Sequence, residues 1–375
     1  MIRISCQFDS GAIEVLECVD PANIRLNLRA DTAAAFRQWF HFRLQGARGQ
    51  ACVLSFENAG ESAYPDGWDG YRVVASYDRV TWFRLPVGQF DGRRYEFRVT
   101  PDFDSMYFAY FEPYSQERDM LLLGRADASP VATVSDLGPT VQGRDLNLVT
   151  VGRPGPDKKT VWVVARQHPG ETMAAFFVEG LLERLFDTSD PVSRRVLDRA
   201  CVQVVPNMNP DGSVLGNLRT NAAGANLNRA WQAPDEACSP EVARVRGRML
   251  ETGVDVFLDI HGDESLPYVF ADGCSMLPDF PGEVLEAERR FCRALAAASP
   301  DFQSVHGYAP DRFSDELLTL ASKWVGQHFR ALSLTLEMPF KDNANLPDGF
   351  NGWSASRSRH LGAATLLALL DSLDA

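Results

Sequence analysis

Val161-Trp162-Val163-Val164-Ala165-Arg166-Gln167-His168-Pro169-Gly170-Glu171 turns from apolar to polar within a few residues. The apolar run Val161–Ala165 reads as a short buried strand, and it stops at a Pro-Gly turn flanked by His168 and Glu171. Beyond the turn, Thr172–Phe186 carries its apolar residues at helical spacing. The same alternation continues downstream. Cys201–Val205 reads as a strand, Glu241–Glu251 as a helix and Val254–Ile260 as a strand; Glu283–Ala298 and Ser314–Phe329 read as helices, Leu332–Leu336 as a strand, and Ser356–Leu373 as a closing helix. Buried strands alternating with helices predict an α/β sheet that is at least partly parallel.

Ligands of open α/β sheets bind outside the carboxyl ends of the strands. Four strands here run out into polar clusters at that edge: Arg166–Glu171; Pro206-Asn207-Met208-Asn209-Pro210-Asp211-Gly212; His261-Gly262-Asp263-Glu264; and Glu337-Met338-Pro339. His168 and Glu171 stand three apart across the turn, which brings an imidazole and a carboxylate towards one point, and His261 adds a third group from another strand end. Two histidines and one carboxylate leave a fourth position for water, the composition of a catalytic zinc site. The chain has only six histidines, at 41, 168, 261, 306, 328 and 360, so two of them at strand ends carry weight. Zinc acidifies bound water and polarises a carbonyl; the reaction then needs a carboxylate to accept the water's proton, for which Glu337 is the best-placed candidate. An oxyanion needs a fixed cation. Arg219 follows the Asn-Pro-Asp-Gly turn, and Asn228-Arg229 ends a second polar segment. A guanidinium binds a carboxylate in bidentate fashion, so Arg229 suits a free C-terminus.

The first third of the chain differs in character. Ile24–Leu28, Ala51–Phe56, Tyr71–Ser76, Val80–Leu85 and Arg94–Val99 are short alternating segments between turns such as Tyr64-Pro65-Asp66-Gly67. They predict a small antiparallel β-sandwich over residues 1–125, with its aromatics as core, followed by a second domain over 126–375. Gly124, Ser129, Pro130, Gly138, Pro139 and Gly143 read as a linker. Lys+Arg is 37 and Asp+Glu is 50, a net charge of −13. That charge disfavours nucleic acid and anionic membranes as partners. No apolar run reaches the length of a membrane span, and the N-terminus lacks the order of a signal peptide. Seven scattered cysteines do not form a disulfide framework. The expected compartment is cytoplasmic; the oligomeric state is left open.

The motifs His168-Pro169-Gly170-Glu171, Asn209-Pro210-Asp211-Gly212, Asn226-Leu227-Asn228-Arg229, Asp259-Ile260-His261-Gly262 and Thr335-Leu336-Glu337 together resemble the zinc carboxypeptidases of the M14 type, in particular the cytosolic carboxypeptidase branch. Phe8-Asp9-Ser10-Gly11 and Gln38-Trp39-Phe40-His41-Phe42 resemble the branch's amino-terminal β-domain. The resemblance implies a mixed, largely parallel sheet flanked by helices. It also implies a hydrolase holding one zinc ion per chain at His168, Glu171 and His261. Glu337 is then the general base and Arg219 the group polarising the scissile carbonyl. Asn228 and Arg229 hold the terminal carboxylate of a peptide or protein substrate.

Asn226 occupies a place where the family usually has an aspartate that bonds the first zinc histidine. An amide oxygen accepts that bond without charge. The interval 261 − 171 = 90 favours the cytosolic branch. Tyr308 is the nearest upstream tyrosine to Glu337. By the resemblance, Lys323 falls near the family's specificity determinant, which suits a C-terminal glutamate, with Arg312 and Lys341 as weaker alternatives. Two competing functions remain: a zinc amidohydrolase acting on N-acyl amino acids or cell-wall peptides, and an inactive zinc-binding interaction protein.

Overall fold

The computed structural model describes residues 2–309, 312–313 and 316–373. The amino-terminal part is two facing five-stranded sheets. One is built from β1 (Arg3–Ser5), β4 (His41–Gln45), β10 (Ser105–Ala109), β6 (Val74–Ser76) and β7 (Trp82–Arg84), in that order. The other runs β2 (Glu14–Glu17), β3 (Ile24–Asn27), β5 (Cys52–Phe56), β9 (Tyr95–Val99) and β8 (Gln89–Phe90). All pairings are antiparallel except β3 with β5. Alternation along β5 and β9 sends Leu54, Phe56, Tyr95 and Phe97 inward, where they pack with Phe40, Phe42, Trp68 and Phe108.

Helix α1 (Gln116–Asp127) joins this sandwich to a seven-stranded sheet, so a boundary at residue 125 falls inside its last turn. Ser115 caps α1 by accepting from Arg118 N. The sheet order is β11 (Ala132–Pro139), β12 (Asp145–Val151), β14 (Ala200–Val205), β13 (Lys159–Ala165), β15 (Val256–Asp263), β17 (Leu332–Pro339) and β16 (Phe270–Asp272). β14, β13, β15 and β17 are mutually parallel, and the flanking strands are antiparallel. Of the segment read as a linker, Gly124 lies in α1, Ser129 and Pro130 connect α1 to β11, and the rest is β11 and the approach to β12. Its Gly138 and Pro139 mislead because β11 is an edge strand, where a register shift after Asp136 accommodates both.

The remaining helices are α2 (Thr172–Phe186), α3 (Pro191–Arg199), α4 (Pro210–Leu215), α5 (Pro240–Thr252), α6 (Gly282–Ala298), α7 (Ala321–Phe329) and α8 (Ala355–Leu373). The helix expected over Ser314–Phe329 is shorter. A 3-10 turn covers Leu317–Thr319 and α7 begins at Ala321; Ser314 lies outside the described residues. α2 is buried on nearly every face because it lies between the sheet and α8. The two helices touch through glycine: a Cβ on Gly180 or Gly362 would stand 2.0 Å from a carbonyl oxygen of the partner helix. One apolar cluster runs through both halves of the molecule, and the Tyr110 and Phe340 rings meet across the boundary at 4.7 Å. No helix among the described residues is long and apolar enough to cross a membrane.

Candidate active site

Strands β13, β15 and β17 end side by side, and His168, Glu171, His261 and Glu337 stand at those ends, while Arg219, Asn228 and Arg229 come from the segment between α4 and α5. Beyond β13, Arg166 adopts φ 61, and its buried guanidinium ties the turn by donating to Pro169 O at 3.0 Å and to Tyr114 O at 3.0 Å. The turn delivers Glu171 as the residue that opens α2. His261 lies within β15 rather than beyond it, because pairing with β17 carries the strand on to Asp263, and the register sets His261 opposite Glu337.

Glu171 bridges the two histidines. Its Oε1 is 2.7 Å from His168 Nδ1, and its Oε2 is 2.7 Å from His261 Nδ1. The opposite ring nitrogens are held from behind: His168 Nε2 lies 3.0 Å from Asn226 Oδ1 and His261 Nε2 lies 2.9 Å from Asp259 Oδ1. Asn226 therefore takes the outer position expected of it. Asp259 is fixed in turn by Gln167 Nε2, which donates to both its oxygens. With an outer acceptor beside each Nε2, the neutral tautomer that carries its proton there presents an Nδ1 lone pair to the carboxylate. In that tautomer two lone pairs and a carboxylate converge on one buried point, a donor set suited to a cation. These atoms lie within 4.8 Å of one another, so the three residues fit a zinc ion with an open coordination position. Burial and the Arg219 guanidinium push His168 down to about 4, which keeps its ring neutral for ligation.

Glu337 lines the same cavity, whose volume is about 220 Å³. Its Oε1 lies 2.8 Å from the Tyr308 hydroxyl, which is also 2.9 Å from Asp263 Oδ2, so the two carboxylates share the one phenolic proton. Oε2 of Glu337 is buried with no protein partner among the described residues. Burial pushes the Glu337 carboxyl up to about 8, with Glu171 and Asp263 acting in the same direction against His261 and the Tyr308 hydroxyl. A carboxyl so perturbed, with one free oxygen, is suited to take up and return a proton.

Arg219 lines the same cavity, and its guanidinium lies over the rings of Tyr64 at 5.6 Å and Phe36 at 5.8 Å. Both rings belong to the β-sandwich, so the amino-terminal part walls the cleft while supplying none of the three metal-ligand candidates. Asn228 Oδ1 accepts from Ala321 N at 2.8 Å. Arg229 donates from Nε to Glu316 Oε2 at 2.6 Å and from Nη1 to Asn228 O at 2.8 Å. Asn228 and Arg229 both line the cavity.

Lys323 does not line the cavity. Its side chain is buried, and its ammonium donates to Asp272 Oδ2 at 2.7 Å and to the Gly273 carbonyl. Asp272 stands between it and the space a substrate would occupy. The sequence showed a lysine at a plausible distance from Glu337 but not the carboxylate across the sheet that neutralises it. Arg312 is on the wall, 4.1 Å above the Tyr308 ring and 4.0 Å from Asp263. Lys341 is turned away, donating to Asp69 O at 2.9 Å. In the Asn209–Gly212 turn, Asn209 caps α4 by accepting from Gly212 N, and Asp211 is bound by Arg144 and Thr140. The turn is thus structural. Asp259 went unassigned although it carries a signal: an aspartate two residues before His261 on a buried strand shares its face.

Comparison with known proteins agrees with this geometry. Residues 121–352 match the zinc carboxypeptidase family and residues 4–111 match the cytosolic carboxypeptidase N-terminal domain. A metallo-carboxypeptidase of Burkholderia cenocepacia is 55% identical, with a TM-score of 0.97 over 100% of this chain and 99% of that one. A metallo-carboxypeptidase of Pseudomonas aeruginosa, solved with (2-guanidinoethylmercapto)succinic acid, is 45% identical with a TM-score of 0.94 over 99% and 100%. Mouse cytosolic carboxypeptidase 6 is 28% identical over 76% of this chain, which spans 56% of the mouse protein's length. With both halves of the chain matched and the fold shared end to end, the protein belongs to the zinc carboxypeptidase family.

Proposed function

We propose that this chain binds one zinc ion at His168, Glu171 and His261 and removes the C-terminal residue from peptides or proteins. The observation that carries this reading is the meeting of both Nδ1 atoms on Glu171 with Glu337 on the adjoining strand. Zinc in that position supplies Lewis acidity and lowers the pKa of water towards neutrality. Glu337 Oε2 takes the proton from the attacking water and returns it to the leaving amine. Arg219 stabilises the negative charge that develops on the scissile carbonyl oxygen. Arg229 holds the substrate's terminal carboxylate, a role supported by its charge-assisted bond to the Glu316 carboxylate. The test is a peptide offered to the zinc-loaded protein with a free and with an amidated C-terminus. Loss of one residue from the free form alone supports the reading. Equal hydrolysis of both forms favours the amidohydrolase alternative, and turnover of neither favours the inactive one.

For the side chain, a C-terminal glutamate is the substrate we propose, with Arg312 as the cation open to the cavity and Lys323 neutralising Asp272 behind it. A charge-assisted contact is worth about 1.5–3 kcal/mol, so Arg312→Met is expected to lower kcat/KM for peptides ending in glutamate by about 10–150-fold. Peptides ending in leucine should be nearly unaffected, and competition between the two peptides measures the ratio. A second reading, a basic terminal residue, is favoured by Asp272 in the lining and by the guanidino compound held by the Pseudomonas aeruginosa protein. If lysine or arginine peptides are preferred and Asp272→Asn removes that preference, the second reading replaces the first.

A further inference from the structure

Asp31 belongs to the β-sandwich, yet its carboxylate is spent entirely on the loop that carries Arg219. Oδ1 accepts from Leu218 N at 2.6 Å; Oδ2 accepts from Arg219 N at 2.8 Å, Thr220 N at 2.9 Å and Thr220 Oγ1 at 3.0 Å. Three successive backbone N–H groups pointing at one carboxylate fix the path of the chain on both sides of Arg219. The surroundings repeat the device. Asn217 Oδ1 accepts from the backbone and hydroxyl of Thr32, Arg29 donates to the Leu215 and Gly216 carbonyls, and Ser10 N donates to Val214 O. Gly216 and Gly224, both at positive φ, approach the sandwich so closely that a Cβ would stand 2.6 Å from Ser10 O and 2.4 Å from Ala33 O. The Arg219 side chain then lies against Phe36 and Tyr64 of the same sandwich. From its own half the loop is held at its edges, by Gly170 N to Leu218 O and by Asn221 Nδ2 to Cys238 O and Glu241 Oε2, while among the described residues the N–H groups of Leu218, Arg219 and Thr220 are bound by Asp31 alone.

We infer that Asp31 is a positioning residue for the hydrolytic reaction: through it the amino-terminal sandwich sets where Arg219 meets the scissile carbonyl. The inference rests on the assignment of Arg219 to that carbonyl. An oxyanion donor displaced by a fraction of an ångström loses much of its effect, because its value lies in being fixed before charge develops. Asp31 touches neither substrate nor metal ligand, so its loss should act on kcat and spare ground-state binding.

The test is a double-mutant cycle on the zinc-loaded, full-length protein with Asp31→Asn, Arg219→Met and the double variant. Zinc content and thermal midpoint are measured for each, and Thr220→Val serves as a milder second disturbance of the clamp. Asp31→Asn is expected to lower kcat by about 10–100-fold with KM within twofold, compared with about 100–1,000-fold for loss of one oxyanion donor. In the Arg219→Met background the same change should cost less than threefold, and Thr220→Val should show the same dependence on Arg219 with a smaller loss. A loss of kcat in Asp31→Asn that is equal in both backgrounds would make Asp31 a folding residue and overturn the inference. So would unchanged kcat in Asp31→Asn. Unchanged kcat in Arg219→Met would instead refute the role of Arg219, leaving Asp31 nothing to position.

Discussion

Glu337→Gln should leave a folded, zinc-loaded protein with almost no turnover. Glutamine has nearly the same shape, and its amide oxygen still accepts the Tyr308 hydroxyl that holds Oε1 at 2.8 Å. What is lost is the oxygen with no protein partner, Oε2, which becomes an amide nitrogen unable to take a proton. Loss of a general base costs about 10²–10⁴-fold in rate. KM should change little, since Asn228 and Arg229 are untouched. The measurement is kcat and KM on a free-carboxylate peptide beside metal content. A Gln variant with near-normal kcat would show that another group accepts the proton.

Removal of residues 1–111 is expected to have the second large effect, loss of a soluble catalytic half. Arg84 of the sandwich is buried and donates to the carbonyls of Phe340 at 2.6 Å and Trp353 at 3.2 Å. Arg72 donates to Gly349 O at 2.8 Å. The Tyr110 ring covers Phe340, and Trp353 is 1% exposed. Deletion leaves those carbonyls without partners and bares two large aromatics, each worth about 1.5–3 kcal/mol when buried. An exposed apolar patch of this kind promotes association. Arg219 would lose its clamp and both of its ring contacts as well. Expression of the fragment starting after Phe111, followed by sedimentation and assay, checks this. A soluble fragment of full activity would show the sandwich to be an independent appendage and would contradict the role given to Asp31.

Legibility in the sequence followed locality. The turn at His168–Glu171 and helix α2 could be read because a continuous apolar strand, a Pro-Gly break and a helical repeat lie in one short stretch. The histidines and Glu337 could be grouped because parallel strands bring their carboxyl ends to one edge whatever their order. β11 could not be read, since its glycine and proline are tolerated only on an edge, and edge position is a property of the whole sheet. Lys323 was misjudged for a related reason: Asp272 lies far from it in sequence and reaches it only through the pairing of β16 with β17. Asp31 was invisible, because nothing local marks an aspartate whose partners lie nearly two hundred residues away.

In the proposed mechanism everything depends on one zinc ion held by His168, Glu171 and His261. X-ray data collected on either side of the zinc absorption edge, from crystals of the metal-replete protein, test it most directly. The expected result is a single anomalous peak bounded by His168 Nδ1, His261 Nδ1 and the Glu171 carboxylate, strong above the edge and lost below it. A fully loaded protein whose peak lies elsewhere, or a map with no peak among those three side chains, would contradict it.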